Sequence, residues 1–322
     1  MTGPRSGRIV AFGGGHGLAA SLRALRVMGR TVPLDITAVV TVGDDGGSSG
    51  RLRADRGGLP PGDLRQALAA LADGDDELAW RTAELLQHRF AGEDSLAGHA
   101  VGNLLLCGLM ELLGDPVGAL DHAAALLRCH GRVLPMSRQP VGIEADVFDA
   151  DSDRPGETVV VRGQHRIAVS QGTVTTVRLT PQAPRACVEA VEAVSEADWL
   201  IFGPGSWYTS VIPHLLVPDL ADAVVKSPAK RLVTLNLATD NETAGLSLPG
   251  HLAALRRYLP ALRVDVVIAD PDAIGDPTPV RCAAESLGAR LVLAPVAMAT
   301  GAAYHDPAAL AAVMGSTLGS ME

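Results

Sequence analysis

The feature that most constrains this chain is a short apolar run that ends in a cluster of glycines. Arg8 to Phe12 (RIVAF) stops at Gly13-Gly14-Gly15-His16-Gly17, after which Leu18, Leu22, Leu25 and Val27 recur near helical spacing. That order reads as strand, glycine turn and amphipathic helix. A second run, Ile36 to Val42 (ITAVVTV), is β-branched and almost continuously apolar, as a strand buried on both faces requires. Strand, helix and strand of this length predict a right-handed βαβ crossover and hence a parallel sheet.

The same rhythm returns in the second half. Asp198 to Phe202 is a strand closed by Gly203-Pro204-Gly205, and Leu232 to Leu237, Val264 to Ala269 and Leu291 to Pro295 read as three more. Between the halves the period changes. ETVVVRG and TVTTVRLT are β-rich, with Gly163-Gln164-His165 as a turn, either as a meander or as an extra sheet edge. Helical stretches are expected near 76–90, 98–113, 121–127 and 186–197, and residues 43–62 read as a polar loop. The expected fold is therefore α/β and Rossmann-like. It is a doubly wound, mostly parallel sheet in one domain over 1–322, with a β-rich excursion at about 131–185.

Composition narrows the partners. The net charge of −9 and the 3% aromatic content argue against a nucleic-acid surface and against anionic lipid. One small anionic ligand stays open, because local donors outweigh distant charge. The apolar run from Ala100 to Leu113 is too short and too broken by glycine to span a bilayer, and the first ten residues do not resemble a signal peptide. A cytoplasmic protein without membrane insertion is expected. Cys107, Cys129, Cys187 and Cys282 show no metal-binding spacing and are expected as reduced, buried small hydrophobes.

Several residue groups could carry chemistry. In the first loop, Gly14, Gly15 and Gly17 let a phosphate approach the start of a helix, whose amides and dipole favour an anion. His16 either donates to that phosphate or makes a local structural bond. The spacing is not the dinucleotide fingerprint, since Leu18 stands where a third glycine belongs. After the second strand come Asp44 and Asp45, then Ser48, Ser49, Arg51 and Arg53. The acids could hold ribose hydroxyls or Mg²⁺, and the serines and arginines could hold phosphate. Asp63 is read as the N-cap of a helix that could also aim Asp63 or Arg65 into the site. Asn103 either bonds within the core or reads a ligand. Gly203, Gly205 and Ser206 form a second anion-type turn, with Tyr208 either a wall against a base or sugar or a packing residue. His305-Asp306-Pro307 reads as the start of the last helix. No recognised nucleophile motif or nucleotide-triphosphate loop is present, and no catalytic residue is assigned.

Taken together, GGGHGL, ITAVVTVGDDGGSSGRLR, LPPGDLRQALAALA, LAGHAVGNLLL, GPGSWYTSVIPHLLVPDL and HDPAAL resemble the YvcK/CofD-like family, and its YvcK branch of gluconeogenesis factors. The resemblance implies a Rossmann-like protein that binds a UDP-sugar such as UDP-N-acetylglucosamine or UDP-glucose. It implies a regulatory role in cell-wall (peptidoglycan) synthesis and cell shape rather than turnover. The sister branch resembles 2-phospho-L-lactate transferases, which use a guanylylated substrate and Mg²⁺, and that is the alternative activity. Carried over, Gly14, Gly15 and Gly17 match the first loop and Asp44 and Asp45 the acid pair. Asp63, Asn103, Gly205 and Ser206 match the remaining motifs. His16 and Gly43 depart from the branch pattern, and Asn236 to Ser247 follows it only loosely. No cofactor is required on this reading. Asp44, Asp45 and Asp63 are the candidate ligands for Mg²⁺, and a homo-oligomer is expected.

Overall fold

The structure is a computed structural model that describes residues 6–150, 156–238, 246–299 and 303–318. Its main element is a seven-stranded sheet. β1 (Gly7–Gly13) is central. β2 (Leu34–Val40) and β3 (Arg132–Pro135) lie on one side, and β7 (Trp199–Phe202), β8 (Lys230–Thr234), β9 (Val266–Ala269) and β10 (Arg290–Leu293) on the other. Every pairing in it is parallel. The chain thus builds outward from β1 in one direction, returns, and builds outward in the other. With right-handed crossovers, that reversal puts helices on both faces and opens a crevice where β1 and β7 part.

Buried strands read as apolar runs, and here they form the core. Ile9 to Phe12 are each at most 2% exposed, and Phe12 stacks on Phe202 with ring centroids 4.8 Å apart. Helix α1 (Gly15–Gly29) covers β1 with Leu18, Leu22 and Leu25, all buried, and packs on α3 (Pro61–Leu71) and on the last helix, α14 (Pro307–Leu318). Asp306 caps α14, accepting from the Ala308 and Ala309 amides at 2.7 and 3.0 Å, as the sequence implied.

The β-rich excursion is a separate antiparallel sheet, β5–β4–β6, made of β4 (Gly142–Phe148), β5 (Thr158–Arg162) and β6 (Thr173–Thr180). Only β3, at its start, joins the main sheet. Gly163 to His165 is not a simple turn, because Gln164–Ala168 form a short helix, α7.

Three further expectations are corrected. The segment read as loop 43–62 contains a helix, α2 (Gly47–Arg56), whose buried Ser48 and Ser49 replace the apolar stripe that would have revealed it. Asp63 is not an N-cap. Pro61 starts α3 two residues earlier, because proline at the first helical position needs no amide partner, and Pro60 occupies the cap. Of the cysteines only Cys187 is buried; Cys107 and Cys129 are half-buried and Cys282 is exposed, all four as free thiols. Among the described residues no helix is long and apolar enough to cross a membrane.

Leu22 is fully buried between α1 and the sheet. Leu22→Ala should therefore lower unfolding stability by ~2–5 kcal/mol, read from the urea midpoint.

Candidate functional site

β1 and β7 end at the same level, with Phe12 opposite Phe202, so the loops that follow them leave the sheet side by side. They touch backbone to backbone. A Cβ on Gly17 would lie 2.3 Å from the Pro204 carbonyl oxygen and 2.5 Å from the Gly205 Cα, so only glycine permits the approach. Ser21 Oγ donates to the Gly203 carbonyl at 2.8 Å, tying α1 to the second loop. From beyond β8, Asn236 accepts from the Gly205 amide at 2.9 Å and donates to the Gly205 carbonyl at 3.0 Å.

Together the loops border a cavity of about 630 Å³. From the sequence-derived set it is lined by Gly14, Gly15, His16, Gly17, Asp63, Gly205 and Ser206. No side chain caps α1, so its first-turn amides are available to an anion, except that of Gly15, which donates to Asp63. Burial, then Arg23, Arg65 and Arg89, lower the pKa of His16 below its ordinary value, making it a neutral hydrogen-bonding group at this loop.

Asp63 sits under the loop. It is 6% exposed, and one carboxylate oxygen has no hydrogen-bond partner. Gly14 makes room for it, since a Cβ there would lie 2.4 Å from Asp63 Oδ2. Burial and then the charge of Asp44 push the Asp63 pKa up to about 7, against the opposing pull of the Gly15 amide and Arg65.

Most of the remaining candidates line a second cavity of about 870 Å³. Asp44, Asp45, Ser48, Ser49, Arg51 and Asn103 all border it. Asp44 accepts from the Gly46 amide and Asp45 from the His165 amide, each at 2.9 Å, so Asp45 fastens this loop to the excursion. Asn103 donates to Ser48 Oγ at 2.9 Å, and Ser48 is 2.9 Å from His99 Nδ1. Burial and then Arg51 lower the His99 pKa below its ordinary value. Among the described residues no group of three or more His, Cys, Asp or Glu is disposed to hold a metal ion.

Three candidates border neither cavity. Gly203 packs on β8, where a Cβ would meet the Thr234 carbonyl oxygen at 2.8 Å. Tyr208 is 5% exposed within a π-helical turn, Trp207–Val211, whose Trp207 stacks on His251 and donates to its carbonyl at 2.8 Å. Arg53 turns away to the Val141 carbonyl, at 3.1 Å.

The profile of the family described as "2-phospho-L-lactate transferase CofD" matches residues 9–287. A "Putative gluconeogenesis factor" of Mycobacterium tuberculosis is 49% identical over 311 residues, covering 95% of this chain and 89% of that protein. The chain belongs to the CofD/UPF0052 family. A "Gluconeogenesis factor" of Bacillus subtilis is 37% identical over 270 residues, 84% of this chain and 80% of the relative. A crystal structure of a UPF0052-family protein from Bacillus halodurans superposes with a TM-score of 0.83 at 32% identity, covering 97% of this chain and 99% of that one.

Within this CofD/UPF0052 fold, the structure adds residues that were not candidates for the site. Arg23, Gln164, Asn236 and His305, the last within the HDPAAL motif, border the first cavity and Arg89 the second. Gln164 Oε1 is buried without a partner. Of the late stretch Asn236 to Ser247, residues 239–245 lie outside the described residues. Asn236 carried a sequence signal as a polar residue at the end of a strand, and His305 as the residue that opens HDPAAL; the others arrive through tertiary contact.

The raised Asp63 pKa fixes a pH dependence. The folded state holds the Asp63 proton more tightly than the unfolded chain does. The group's contribution is therefore fully present below about pH 4 and is lost as pH rises through about 7. Asp63→Asn should flatten the fall in stability across that window and raise the melting temperature at pH 8, with no gain at pH 4.

Proposed function

We propose that this chain is a nucleotide-sugar-binding regulatory protein. In this reading it takes UDP-N-acetylglucosamine or UDP-glucose in the first cavity and supports cell-wall synthesis and cell shape as a gluconeogenesis factor. The observation that carries it is the contact of two glycine loops at the sheet's reversal point, with the uncapped N-terminus of α1 facing the cavity. Backbone amides and the helix dipole favour a diphosphate there, and the volume lies in the range of small-molecule sites. Ser206 and the neutral His16 add hydrogen-bonding groups beside that diphosphate. The names of the bacterial relatives support the regulatory part.

A transferase reading has one observation in its favour beyond the family description. Asp44, on the second cavity, acts electrostatically on Asp63, on the first, and raises its pKa. Mg²⁺ held there would offset diphosphate charge in a phospholactate transfer.

Thermal denaturation with UDP-N-acetylglucosamine, UDP-glucose and GDP, each with and without Mg²⁺, separates the two. A UDP-sugar at 100 times its dissociation constant should stabilise the protein by ~2.7 kcal/mol without metal. Gly17→Ala should abolish that shift while the protein still melts cooperatively. Sustained turnover of the UDP-sugar, or Mg²⁺-dependent formation of product from a guanylylated phospholactate donor, would overturn the regulatory reading.

A further inference from the structure

Three guanidinium groups border the second cavity, and among the described residues none of them forms an ion pair. Arg51 comes from α2, Arg65 from α3, and Arg89 from the segment after α4 (Glu77–Gln87). Neutral acceptors hold all three. Arg51 donates to the Ala97 carbonyl at 2.6 Å and Arg89 to the neighbouring Gly98 carbonyl at 2.9 Å. Arg65 donates to Gln87 Oε1, is 3% exposed, and has its Nε buried without a partner.

A carbonyl orients a guanidinium without neutralising it, and each group keeps donors to spare. The positive charge is therefore concentrated without a direct ion pair. Burial and then Arg89 pull the Arg65 pKa down to about 10, against the opposing pull of Asp63 and Asp44. Setting a buried cation beside a second cation costs stability that one carboxylate contact would relieve. The acids bordering the same cavity, Asp44 and Asp45, accept from the Gly46 and His165 amides instead. At 1% exposure, Asn103 Oδ1 is a further buried acceptor here without a donor.

The two cavities adjoin across the first turn of α3. Asp63 borders one and Gly62 and Arg65 the other, and Gln164 and His165 are divided in the same way. Arg65 and Arg89 also act electrostatically on His16, in the first cavity.

We infer that the second cavity is an anion subsite in which Arg51, Arg65 and Arg89 hold a carboxylate or phosphate, so that what binds this protein carries an acid beyond the nucleotide's diphosphate. The link to the first cavity rests on the nucleotide-sugar reading above. The acid is either the distal part of one nucleotide conjugate, as in a sugar acid, or a separate small molecule. Paired N–H donors suit either anion, and Asn103 Oδ1 accepts from a hydroxyl or N–H beside it.

Calorimetric titration of the full chain tests this with UDP-glucose, UDP-glucuronate, free glucuronate and inorganic phosphate. The same titrations are made on Arg51→Gln and Arg89→Gln, whose side chains are exposed and leave the core intact. UDP-glucuronate should bind about 10-fold more tightly than UDP-glucose, and either substitution should remove most of that advantage. Arginine-dependent binding of free glucuronate or phosphate, with no preference between the UDP-sugars, would assign the acid to a separate molecule and uphold the subsite. Equal binding of both UDP-sugars with no arginine-dependent binding of either free anion would overturn it. If no UDP-sugar binds, phosphate decides: binding that both variants lose upholds the subsite and discards the nucleotide-sugar reading, and no phosphate binding overturns both.

Discussion

The contact of Gly17 with Pro204 and Gly205 is the constraint on which the rest of the site depends. A doubly wound sheet parts its crossovers at the reversal of strand order, and here that point lies between β1 and β7. The crevice is useful only if the two loops converge over it, and a single added methyl group would keep them apart. Ser21 and Asn236 then fix the convergence from either side, one through the Gly203 carbonyl and one through both backbone groups of Gly205. The anion binding proposed for the first cavity rests on this backbone geometry more than on any charged side chain.

Asp63 joins that geometry to the second cavity. Its carboxyl is buried where Gly14 leaves room, bonded to the Gly15 amide and close to Asp44. A carboxyl balanced between charged and neutral forms near neutral pH answers to whatever charge arrives beside it. A diphosphate at α1 would favour the protonated form, and a cation between Asp44 and Asp63 the ionised one. The same residue can thus serve a metal-free binding site or a metal-assisted one, and two branches of one family could keep it for different ends.

The fold was legible wherever burial wrote a period into the chain. Strands β1, β2, β7 and β9 are short and buried, and they read directly as apolar runs, the first three of them leading into glycine. Helix α2 was not legible, because GSSGRLRADR has no apolar stripe; packing on α3 and α5 (Val101–Leu113) and the buried Ser48 and Ser49 hold it instead. The glycine loops of the site were legible because close backbone approach admits one residue type only. Arg89 and Gln164 were not, being single polar residues brought in from distant segments, and His305 was visible as the start of HDPAAL but not as part of a cavity wall. Tyr208 shows the converse limit. An aromatic beside a Gly-Pro-Gly turn reads the same whether it walls a ligand or packs inward, and the stacking of Trp207 on His251 takes this turn into the core.

The charge distribution ties these strands together. A chain of net charge −9 repels anions at long range, so an anionic ligand must be held by groups that act within the cavity. In the first cavity the uncapped amides of α1 beyond Gly15 would meet that need. In the second, guanidinium groups that bond to carbonyls and not directly to acids would meet it. Both solutions keep donors open in an acidic protein, and the excursion enforces the second by engaging Asp45 through the His165 amide. The β-rich excursion thus borders both cavities. It supplies Gln164 to the wall of the first and His165 to the second, and the His165 amide donates to Asp45.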